Sequence, residues 1–217
     1  MRFLDKLLNV GGQAISTETP ERVSLPVGAF WDDFFRLVAR KNGFYAFEGA
    51  LHLFPSAKEG CMPVRLWNSS ELWRYTYNGL FSSEIHFFAE DAFGCQFGAS
   101  GDAVYFLNAE TGYLKMHSQC LEEWAEKLLK DYAVETGYPL AHEWQVKNGR
   151  IPGNCRLVPE VPFVLGGKFA VDNLIPVRSI QAMRYYGKLA SDLAVRKDGE
   201  VIRFDPVVVR RLRYSDS

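Results

Sequence analysis

Two adjacent carboxylates, Glu90 and Asp91, form the sharpest acidic pair in this 217-residue chain, with His86 just upstream. A carboxylate pair near an imidazole has the residue types for general acid–base work or for holding a metal ion. On a turn, however, neighbouring carboxylates point in different directions and are usually solvated or bonded to nearby amides. His86 sits beside Phe87 inside an apolar run and reads as a packed or cross-strand side chain. His52, His117 and His142 fall in other elements. The loop Gly98 to Asp102 matches a phosphate-binding loop only in glycine content. No helix is expected after it and no lysine lies nearby, so a turn is the better reading. The chain contains no GxSxG, Walker loop, GxGxxG after a strand or HExxH. No catalytic residue, cofactor site or metal ligand set is therefore expected.

The four cysteines, Cys61, Cys95, Cys120 and Cys155, have no CxxC pairing and no histidine at ligand spacing. Buried free thiols are the expectation, in place of zinc or a disulfide framework. The N-terminal MRFLDKLLNVGG lacks the apolar core and cleavage site of a signal peptide. No apolar run approaches the roughly 20 residues of a membrane span. These features together lead to the expectation of a cytoplasmic protein that engages neither membrane nor nucleic acid, since the formal net charge is only −1.

Charge is distributed unevenly. Ten acidic residues stand against three lysines between Phe81 and Glu135, whereas nine basic residues stand against five acidic ones from Arg178 onward. An acidic middle and a basic tail can pair within one fold or present separate surfaces. Solvated faces of ordinary elements are the plainer account.

The elements that must position these residues centre on Phe81–Gly112. Three short apolar runs, Ile85–Ala89, Cys95–Phe97 and Val104–Leu107, are punctuated by Gly and Asp and read as consecutive antiparallel strands. Alternation places Ile85, Phe87 and Ala89 on one face, His86 and Phe88 on the other. Around this meander the spacing predicts helices over 28–41, 71–77, 119–135, 140–146 and 176–186. Short strands are expected at 44–47, 51–54 and near 173–174. Residues 13–26 and 150–162 read as irregular, and Lys197-Asp198-Gly199 signals a hairpin between 190–195 and 200–204. The 16 Phe, 10 Tyr and 5 Trp mostly belong to core faces. Those nearest polar breaks, Phe93, Tyr105 and Tyr113, are suited to line a recognition surface. The pattern is α+β, with helices packed beside a mostly antiparallel, curved sheet.

The segment HFFAEDAFGCQFGASGDAVYFLNAETG resembles the core signature of the SUKH superfamily, the Smi/Knr-like proteins. The matching positions are Ala89, Glu90, Asp91, Gly94, Gln96, Tyr105, Glu110 and Gly112. Asn42–Pro55 and Pro162–Val177 extend the likeness. It covers residues 28–205, leaving 1–27 as an N-terminal extension and 206–217 as a basic C-terminal tail. The resemblance implies an α+β fold with a curved antiparallel sheet. It also implies a non-enzymatic immunity protein that binds and neutralises a toxin delivered between bacteria.

On that reading the partner is a cognate protein toxin. The candidate contacts are Glu84, Glu90, Asp91, Asp102 and Glu110, joined by Tyr105 and Tyr113. Carboxylates would compete with nucleic acid for a basic nuclease cleft and speed association. The alternatives are an adaptor that binds other proteins, and a small hydrolase using Glu90, Asp91 and His86. The hydrolase requires those three side chains to converge in a pocket.

Overall fold

Apolar residues on one side of residues 29–40 make that segment a helix with a buried face, and its start is fixed from far away in sequence. In the computed structural model, which describes residues 2–22, 25–57, 62–197 and 205–212, helix α2 (Ala29–Arg40) buries Phe30, Trp31, Phe34, Phe35, Leu37 and Val38. Its N-cap position is glycine, with no side chain to cap the helix. Asp102 supplies the missing acceptor, taking the Phe30 N–H at 3.1 Å.

The central sheet has six antiparallel strands in sequence order. They are β1 (Phe44–Ala46), β2 (Leu51–Leu53), β3 (His86–Asp91), β4 (Gln96–Ser100), β5 (Ala103–Leu107) and β6 (Leu114–Ser118). The expected meander is thus its middle, and β6 extends it by one strand. Helix α2 and helix α4 (Leu121–Lys130) cover one face: Phe88 packs on Phe30, Phe34 and Trp124, and Phe97 packs on Trp124. The other face meets helix α3 (Val64–Trp67), the 3₁₀ turn Arg74–Tyr77 and helix α7 (Ser179–Ala194). There Phe87 packs on Trp73 and Phe81, while Trp67 and Met183 contact Gln96. A two-stranded ribbon, β7 (Cys155–Pro159) with β8 (Leu174–Arg178), joins this side through the Leu157 N–H to the Ala92 carbonyl.

Several expectations change. Residues 1–27 are not simply an appendage: helix α1 (Arg2–Val10) buries Leu4, Leu7 and Leu8 in the main core and packs on α4. The span 119–135 is two helices, α4 and α5 (Tyr132–Thr136), because the Asp131 carboxylate accepts the Val134 N–H and starts a second one. Gly137, at φ 68°, ends α5, and helix α6 (Tyr138–Asn148) follows.

Strand β7 escaped a reading based on its prolines. Pro159 and Pro176 sit in a two-stranded ribbon, where edge positions need no ladder N–H. Helix α7 begins later than expected and runs through 190–194, so the first arm of the expected hairpin is helical. Ala182, Met183, Tyr186 and Ala190 form its buried stripe. The second arm, 200–204, lies outside the described residues. In the basic tail, helix α8 (Val207–Leu212) buries Val209 in the core, and Arg210 makes a two-pronged pair with Glu160. Cys95 and Cys155 are half-buried and Cys120 exposed, all three as free thiols, whereas Cys61 lies outside the described residues.

Candidate functional site

One polar row crosses the buried sheet. Tyr45 pairs with His52, His52 with Glu90, and Glu90 with Gln96 across β1, β2, β3 and β4. Cross-strand partners share a face, so these four side chains stand side by side. A β-bulge between Phe87 and Ala89 produces this arrangement. It places both Phe88 and Ala89 toward α2 and α4, and returns Glu90 to the face of Phe87. Strict alternation would have put Glu90 with Phe88, which is what the sequence alone suggests. His86 keeps the α2 face, packed edge-on to Trp31 at 6.1 Å.

Glu90 is sealed from solvent and receives four neighbours. His52 Nδ1 lies 2.9 Å from Oε1, Ser179 Oγ donates at 3.1 Å, and Gln96 Nε2 donates to Oε2 at 3.3 Å. Arg156 Nε is 2.8 Å from Oε1, an ion pair in which the N–H does not align as a hydrogen bond. Ser179 is the first residue of α7 and Arg156 lies on β7, so three separate units converge on one carboxylate. Burial opposes ionisation of Glu90, but the Arg156 charge and the His52 and Gln96 contacts outweigh it and hold its pKa down to about 2. Burial lowers the His52 pKa, only partly offset by Glu90, so the ring is neutral and donates through Nδ1. Tyr45 stacks on the other side of His52 at 4.5 Å.

Serine, histidine and glutamate are the residue types of a nucleophilic triad, but the connectivity here is different. Hydroxyl and imidazole both address the same carboxylate oxygen, so the imidazole is not bonded to the serine proton. The arrangement locks β2, β3, β4, β7 and α7 together. Among the described residues no group of three or more His, Cys, Asp or Glu side chains could hold a metal ion.

The residues expected at a recognition surface separate into two sets. Glu90, Asp91 and Glu110 are buried, and this corrects their assignment to an exposed acidic face. Asp91 accepts the Phe93 and Cys95 N–H groups at 2.9 and 2.8 Å, and burial raises its pKa to about 7. Glu110 accepts the Phe163 and Val164 N–H groups, and burial raises its pKa as well. Both carboxylates therefore tie down turns. Glu84 and Asp102 stay exposed, Tyr105 is half-buried and Tyr113 is 67% exposed. The expected trio of Glu90, Asp91 and His86 does not converge: His86 and Glu90 occupy opposite faces of the sheet. Sequence reasoning gave no role to His52, Arg156 and Ser179, and named Gln96 only as a position of the family resemblance. A charge inside the run CRLVP was the available signal for Arg156, hidden by the surrounding prolines.

No family model matches the chain, and no curated protein matches it. Among solved structures, the crystal structure of Atu4351 from Agrobacterium tumefaciens is similar, with a TM-score of 0.55 at 13% identity. The match covers 85% of this chain and 88% of that one. Likeness at that identity is a likeness of fold. The α+β architecture is thus shared with a protein of similar length.

Proposed function

We propose that this chain is a protein-binding immunity protein of the Smi/Knr-like kind, which neutralises a cognate bacterial toxin inside the cell that makes it. The observation that carries this reading is where the residues able to do chemistry lie. The Glu90 cluster is spent on internal ion pairing, whereas large contact side chains stand free at the β6 edge. Tyr113 is 67% and Met116 50% exposed, and Met116 pairs across the ladder with Tyr105. Tyrosine and methionine supply large contact area at protein interfaces. The sequence resemblance points in the same direction.

The contact surface on this reading is the β5–β6 edge, with Tyr113, Met116 and Tyr105 as its centre. Asp102, in the turn before β5, and Glu84, ahead of β3, are the exposed acidic candidates and would make a separate acidic rim. The test is co-expression. The gene is cloned with its immediate neighbour, that neighbour's C-terminal domain is expressed in a sensitive host, and growth is followed. Rescue together with a co-eluting complex supports the reading. Toxicity without rescue sinks it, and a complex with a non-toxic neighbour favours the adaptor.

A further inference from the structure

A cavity of about 620 Å³ opens beside β1, at the end of the polar row, and Gln13, Tyr45, Glu48, Arg150, Ile151 and Arg156 are among its lining residues. Its most informative member is Arg156. A guanidinium carries five N–H donors. Nη1 donates to the Cys155 carbonyl at 2.9 Å and Nε sits against Glu90, but the buried Nη2 has no partner. Glu90 already neutralises the charge of Arg156, so what is left over is hydrogen-bonding capacity. Arg150, exposed on the loop that leads into β7, adds a second guanidinium at the rim.

The backbone at this cavity is strained. Phe47 and Glu48 are consecutive non-glycine residues at φ 51° and 54°. Such residues persist only where the surroundings hold them, and they gather at functional sites. Here Phe47 stacks on Tyr132 at 4.7 Å, and the Glu48 carboxylate is 2.7 Å from His142 Nδ1. The Glu48 carbonyl also accepts from Gln145 at 3.0 Å. The strained turn is thereby clamped onto α5 and α6 as one wall of the cavity.

We propose that this cavity binds the carboxylate of an amphiphilic ligand, held by Arg156 and Arg150 while its apolar body packs on Tyr45 and Ile151. A planar guanidinium fork matches a carboxylate. The volume exceeds that of a bare ion, which calls for a body behind the charged group. The carboxylate can come from a free small molecule or from the acidic end of a peptide.

The test is a titration of the ¹⁵N-labelled full chain, following the amides of Gly12 and Gly153, which also line the cavity. The probes are phenylacetate, its neutral isostere phenylacetamide, inorganic phosphate and the peptide acetyl-Phe-Glu. The expected result is a saturable shift with phenylacetate or the peptide, absent with phenylacetamide and at least tenfold weaker in Arg150→Gln. Tighter binding of the peptide assigns the peptide source, and tighter binding of phenylacetate assigns a free carboxylate. The proposal is overturned by shifts that never saturate, by an equal response to phenylacetamide, by preference for phosphate, or by an unchanged response in Arg150→Gln. Arg156→Lys is the second variant. Should it fail to fold, Arg150→Gln, which alters only an exposed side chain, still decides the matter.

Discussion

Arg156 Nε and Glu90 Oε1 lie 2.8 Å apart, and the two side chains are 1% and 0% exposed. Removing one partner of such a pair leaves an uncompensated buried charge, which costs about 3–5 kcal/mol. Glu90→Gln is therefore expected to lower the urea midpoint sharply, and Glu90→Leu combined with Arg156→Met to recover much of the loss. A Glu90→Gln cost below about 1 kcal/mol would show that the pair is compensated by solvent.

Stability should carry two opposing carboxylate signatures. The Glu90 pKa is depressed from 4.5 to about 2, so its contribution is complete above 4.5 and lost as pH falls toward 2. The Asp91 pKa is raised from 3.8 to about 7, so its contribution is complete below 3.8 and lost as pH rises through 7. Asp91→Asn keeps an oxygen for the Phe93 and Cys95 amides but cannot ionise. Relative to the parent it should gain stability steadily between those two values. Urea midpoints at a series of pH values check this, and a pH-independent difference would refute it.

Asp102 caps α2 from a distant hairpin. Asp102→Ala should cost about 0.5–2 kcal/mol, the range for loss of a helix cap. Asp102→Asn should retain most of it. Thermal unfolding separates the two, and equal stabilities would remove the cap assignment.

Gly187 lies inside α7, where alanine would ordinarily stabilise a helix by about 1 kcal/mol. A Cβ there would sit 2.0 Å from Thr76 Oγ1 and 2.8 Å from Thr76 Cβ. Overpacking of this kind costs about 1–3 kcal/mol. Gly187→Ala is expected to destabilise, and Gly187→Ala with Thr76→Ser to remain below the parent, since the hydroxyl stays in place. A stabilised single variant would mean that α7 shifts freely over the 3₁₀ turn.

For toxin binding, Tyr113→Ala should weaken the complex by about tenfold or more without changing the unfolding midpoint, because the ring is exposed. With Glu90, Asp91 and Glu110 buried, the acidic rim reduces to Glu84 and Asp102. Raising salt should then change the dissociation constant only modestly, and a steep salt dependence would move the interface to that rim.

Much of the architecture was legible because periodicity and punctuation were local. The runs around Phe87, Phe97 and Val104 could be read as antiparallel strands, and the Phe30–Val38 spacing gave α2 almost to its ends. Legibility failed where a single residue changed the local rule. Asp131 restarts a helix, and prolines lie in the ribbon of β7 and β8 without breaking it.

The amino-acid sequence by itself determined the fold class, the central meander, most helices and the absence of familiar catalytic signatures, since these depend on spacing along the chain. Only the tertiary structure decided what Glu90 does. A bulge at Phe88 shifts the parity of β3, and this turns Glu90 away from α2 and α4 toward His52, Gln96, Arg156 and Ser179. Those partners come from β2, β4, β7 and α7, and their meeting depends on register and packing that no local pattern encodes. The same packing carried Asp91 and Glu110 inward, because buried turn amides need acceptors and these carboxylates were within reach.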